Sequence, residues 1–112
     1  MSQITTHILD TSRGIPASGV RISLQSQKDT EWEDIGSGIT NEDGRVSDLL
    51  AEDVVLTPGY YRMLFYVGEY FQNLNVHSFY PEVSVVFEVL DQSHYHVPLL
   101  LNPYGYSTYR GS

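Results

Sequence analysis

The sequence predicts an all-β sandwich of about seven or eight short antiparallel strands with one short helix. Three observations carry this. Apolar and polar residues alternate with a period of two in several segments, the pattern of half-buried strands. Turn residues punctuate the chain at roughly 8–12-residue spacing, which favours a sandwich. Only Glu69 to Asn75 (EYFQNLN) offers a helical stretch.

The elements follow in order. Ile4 to Asp10 is a strand interrupted by His7, and Val20 to Gln25 alternates cleanly. Glu31 to Ser37 is a further strand. Tyr60 to Val67 (YYRMLFYV) is apolar almost throughout, as a central strand covered on both sides would be. Glu82 to Leu90 places Val83, Val85, Phe87 and Val89 on one face. Tyr95 to Leu101 and Tyr104 to Tyr109 are separated by the turn pair Asn102-Pro103. Arg13-Gly14, Asp43-Gly44 and Pro58-Gly59 mark other turns.

With 112 residues the chain reads as one domain, residues 1–112, with no repeat and no linker. A chain of this size buries roughly two-thirds of its unfolded surface, enough for one modest core. The net charge is −8, and the six Lys and Arg residues are scattered. Nucleic acid and anionic membranes need clustered cations, so neither is expected as a partner. The absence of cysteine removes disulfides and thiolate chemistry. No basic n-region with an apolar run opens the chain, and nowhere do eighteen apolar residues run together; the expectation is a cytoplasmic protein.

Nine tyrosines, several in the last eighteen positions, exceed what one sheet face can absorb. Tyrosine is favoured at interfaces. A sandwich this small has little internal room for a ligand, so the expectation is a homo-oligomer with its site between subunits.

The chemistry-bearing residues are few. His94 and His96 form a His-x-His pair on one strand face, and with His7 as a third ligand they offer a zinc reading. Against it stands the lack of any cysteine or of an HExxH helix. His96 shares its face with Pro98 and Leu100, so its imidazole is desolvated and available as a base near neutral pH. Arg45 follows the turn Asn41-Glu42-Asp43-Gly44, either aimed inward at the head of a strand or engaged in a surface ion pair. Two histidines, an arginine and a hydroxyl-rich terminus suit hydrolysis of a small, planar, electron-poor molecule. No Gly-x-Ser-x-Gly elbow or phosphate loop is present.

The segment THILDTSRGIPA (6–17) resembles the opening strand and turn of the transthyretin-like family, as does TNEDGR (40–45). The end, HVPLLLNPYGYSTYRGS (96–112), resembles that of one branch, the 5-hydroxyisourate hydrolases. The similarity spans essentially the whole chain, and its terminal Tyr-Arg-Gly-Ser separates the hydrolases from the hormone carriers. The single departure noted is Asn102, where serine is more usual.

That resemblance implies an eight-stranded, two-sheet sandwich assembled as a homotetramer, a dimer of dimers with sites where the dimers meet. It implies metal-free, cofactor-free hydrolysis of 5-hydroxyisourate in urate breakdown. His7, Arg45, His96 and Ser112 are implied as catalytic, and His7, Arg45, Tyr109 and Arg110 as substrate-binding. The histidines would activate water, and Arg45 would steady the developing oxyanion. The competing expectation is a carrier that binds a small aromatic ligand and does no chemistry.

Overall fold

The structure is a computed structural model and describes residues 2–112. Two sheets face each other. One contains β1 (Ile4–Asp10), β2 (Ile15–Pro16), β5 (Arg45–Val46), β8 (Tyr95–Asn102) and β9 (Gly105–Thr108). The other contains β3 (Arg21–Lys28), β4 (Glu31–Ile39), β6 (Gly59–Phe65) and β7 (Val83–Val89) in the order β4-β3-β6-β7. One helix, α1 (Val67–Asn73), leads from β6 towards β7.

The expected strands are all present, with ends shifted by a few residues. Two departures have physical causes. The pairing of β1 with β8 is parallel, whereas every other pairing is antiparallel. Those two strands lie far apart in sequence, so no tight turn dictates their direction. The helix begins two residues earlier than expected, because Val67, Tyr70 and Phe71 form its buried face. Gly68 is tolerated there since its N–H donates to the Pro81 carbonyl at 2.9 Å, and a Cβ would lie 2.7 Å from that oxygen.

Alternation on β1 and β8 decides what the site receives. Ile4 and Ile8 on β1, and Tyr95, Leu99 and Leu101 on β8, point into a core shared with Met63, Phe65, Val83 and Val89 of the other sheet. Thr5, His7, His96 and Pro98 therefore occupy the outer face. In the parallel register Thr5 pairs with His96 and His7 with Pro98. A one-residue slip would drive the imidazoles into the core and expel aliphatic side chains worth roughly 1.5–3 kcal/mol each, which fixes the register.

Candidate active site

The turn before β5 is built by its own side chains. Asn41 Oδ1 accepts from the Asp43 and Arg45 amides at 2.9 and 3.1 Å. Gly44, at φ +72°, supplies the left-handed residue that closes it. The Gly44 carbonyl accepts from the Ile8 amide at 2.8 Å, and a Cβ on Gly44 would lie 2.5 Å from the Ile8 oxygen. The turn thus docks flush on β1 and sets Arg45 opposite His7 in the antiparallel β1–β5 pair. Val46 faces the core while Arg45 is exposed, so the guanidinium belongs to the outer face and is not aimed into the sandwich.

The C-terminal segment crosses β8 from the other side. Thr108 Oγ1 donates to the Pro98 carbonyl at 2.7 Å, and the Gly111 amide donates to the His96 carbonyl at 2.9 Å. A Cβ on Gly111 would sit 2.5 Å from His96 Cδ2, so only glycine lets the backbone pass this close to the ring. Ser112 is thereby brought to a cleft of about 240 Å³ lined by Thr5, Thr6, Arg45, His94, His96 and others.

Tyr109 and Arg110 lie elsewhere in this chain. They line a neighbouring, largely apolar cavity of about 190 Å³ with Phe87, Tyr95 and His96. The Arg110 guanidinium stacks on the Tyr95 ring, 4.3 Å from its centroid, and reaches Ser93 Oγ and the His94 carbonyl at 3.3 and 3.4 Å. Arg110 therefore fastens the terminus to the 91–95 turn. His96 is the one residue of this group that borders both cavities.

Burial and neighbouring charge both disfavour the protonated form of the two imidazoles. Burial and then the Arg45 charge push the His7 pKa below its ordinary value, partly opposed by the backbone and charge of Asp43. His96 is pushed down in the same way, by burial first, then Arg45, His94 and His7. A neutral imidazole is the form that can accept a proton from water. An adjacent fixed cation can stabilise negative charge forming on a carbonyl oxygen.

The His94 and His96 rings stack at 6.3 Å and 25°, with the Thr5 hydroxyl bonded to a nitrogen of each. Among the described residues no group of three or more His, Cys, Asp or Glu is placed to hold a metal ion, so the zinc reading gains no third ligand. Thr5 is the residue the sequence reading missed. The available signal was the period of two on β1, which puts Thr5 on the same face as His7.

The HIUase/Transthyretin family model matches residues 4–111. A probable 5-hydroxyisourate hydrolase of Caenorhabditis elegans is 49% identical over 99% of this chain and 82% of that relative. The structure of a Klebsiella pneumoniae 5-hydroxyisourate hydrolase superposes with a TM-score of 0.87 at 36% identity, covering 97% of this chain and 98% of the other. Sea bream transthyretin, solved in complex with thyroxine, superposes with a TM-score of 0.91 at 29% identity over 98% of this chain and 95% of the other. In sequence and in fold, this chain belongs to the HIUase/Transthyretin family.

Proposed function

We propose that the protein hydrolyses 5-hydroxyisourate, opening a ring amide to a carboxylate in urate catabolism. The observation that supports this best is the convergence of Arg45, His96 and Ser112 on one cleft, with His7 paired to Arg45 beside it. A histidine takes a proton from water as its oxygen attacks the ring carbonyl carbon. Negative charge passes to the carbonyl oxygen, where Arg45 stabilises it. The carbon–nitrogen bond then breaks, and the ring nitrogen receives the proton. Base and oxyanion contributions of roughly 10²–10³ each are typical of such groups. Ser112 orients the water or a polar ring edge, and the step as written uses protein groups alone.

The working form is a homotetramer, a dimer of dimers in which the outer faces of the β1–β8 sheets meet. The cleft of a single chain lies on an outer sheet face, and Arg45 and Tyr109 are exposed. Apposition of a second sheet would enclose them and bring Tyr109 of one chain towards the cleft of another. Among the described residues no helix is long and apolar enough to cross a membrane. The cytoplasm is our proposed location for the activity.

The carrier reading is favoured only by the transthyretin superposition. A half-buried His96 beside Arg45 and His94 would burden an apolar ligand with unpaired polar groups. The deciding experiment follows the ultraviolet decay of 5-hydroxyisourate, freshly generated from urate, with and without the protein in excess EDTA. Acceleration that survives the chelator supports the hydrolase as drawn. Acceleration lost with EDTA would return attention to His94 and His96 as metal ligands. No acceleration by well-folded protein would leave the carrier.

A further inference from the structure

Thr5 Oγ1 lies 2.8 Å from His94 Nε2 and 2.8 Å from His96 Nδ1. A threonine hydroxyl has one proton to donate and lone pairs to accept with. The single hydroxyl proton cannot satisfy two bare nitrogens, so with neutral rings at least one imidazole must present an N–H to Thr5. His96 carries its proton on Nδ1, or His94 carries its proton on Nε2, or both do and the hydroxyl oxygen accepts twice.

Two observations choose between these. His96 Nε2 has no hydrogen-bond partner among the described residues, whereas Nδ1 is engaged by Thr5. The charged and titratable neighbours acting on this ring are Arg45 on β5, His7 on β1 and His94 on the turn before β8. A guanidinium in the same cleft favours a lone pair over an N–H on the ring nitrogen left free. We propose that Thr5, backed by the exposed His94, is a positioning residue that holds His96 with Nδ1 protonated and Nε2 bare, the tautomer able to take a proton from water. Thr5 touches no reacting atom; it acts through His96, and His94 acts through Thr5. The catalytic half of this inference rests on the hydrolase reading above, whereas the tautomer does not.

The test has two readouts. The first is the nitrogen-15 spectrum of the histidine rings in the resting wild-type protein, with His94→Gln used to assign the His94 signals. The expected result is His96 with a protonated Nδ1 and a bare Nε2; a protonated Nε2 overturns the proposal, whatever the activity. The second compares Thr5→Val, which keeps the shape and loses the hydroxyl, with Thr5→Ser, which keeps the hydroxyl. Thr5→Val should lower kcat by roughly tenfold to a hundredfold, within what a general base contributes, with KM nearly unchanged. Thr5→Ser should restore most of the rate. Equal activity of the two variants overturns the positioning role. Should wild type fail to hydrolyse 5-hydroxyisourate, the function falls alone, because the ring spectrum still decides the tautomer.

Discussion

His7 and Arg45 are direct partners across the antiparallel β1–β5 pair, and Arg45 also acts on His96, which lies across β1 on β8. After burial itself, the guanidinium is the second influence lowering the pKa of each imidazole. Removing the charge should therefore have a double effect. Arg45→Gln is expected to cut kcat/KM roughly 10²–10³-fold by loss of oxyanion stabilisation. The surviving activity should have its acid limb at higher pH, since both histidines become easier to protonate. A full pH profile of kcat/KM for the two proteins reads both. A large rate loss with an unmoved limb would leave Arg45 as an oxyanion group that does not tune the bases.

The histidines themselves lie on the outer face, away from the aliphatic core. His7→Ala and His96→Ala should each remove much of the rate, on the order of 10² or more, while the fold and assembly survive. Sedimentation together with the ultraviolet assay separates these effects. Near-normal turnover in either variant would strip that residue of its catalytic role.

Much of this arrangement is legible in the sequence, for reasons that can be named. Alternation along Ile4–Asp10 and Tyr95–Asn102 already shows which residues share a face with His7 and His96. Asn41 and Gly44 mark the turn that delivers Arg45. The parallel β1–β8 pairing is not legible, because it joins strands about ninety residues apart with no local signal, and it is this pairing that sets Thr5 beside His96. The two-residue strand β5 is too short to show a period. Arg110 is implied as substrate-binding by its place in the terminal tetrapeptide, and its stacking on Tyr95 is a tertiary contact that residue order does not reveal.

Gly111 makes the terminus depend on the absence of one methyl group. A Cβ there would lie 2.5 Å from His96 Cδ2, far inside contact distance. Gly111→Ala must push either the ring or the last two residues aside, and both moves separate Ser112 from His96. The expected outcome is a loss of about tenfold or more in kcat, on the reasoning that small misplacements of catalytic groups are costly, with thermal stability little changed. If the alanine variant turns over normally, the close crossing of the terminus over His96 is not needed for the reaction.

The buried end of β1 gives the last prediction, which concerns stability. Asp10 is fully buried, and its carboxylate accepts from the Ser12 amide at 3.0 Å and from the Tyr70 hydroxyl at 2.7 Å, tying the sheet that carries the site to α1. Tyr70→Phe deletes one donor to a buried charge and should cost about 1–3 kcal/mol in urea unfolding at neutral pH. Burial, and then the bond and charge of Asp10, push the Tyr70 pKa up to about 12 from an ordinary 10.0. The unfolded chain therefore releases this proton first as pH rises, so the contribution is complete below pH 10.0 and is lost on approaching about 12. Over that window wild type should lose stability with pH more steeply than Tyr70→Phe, the remaining tyrosines being common to both. Equal slopes would mean that the Asp10–Tyr70 bond does not couple α1 to β1 in solution.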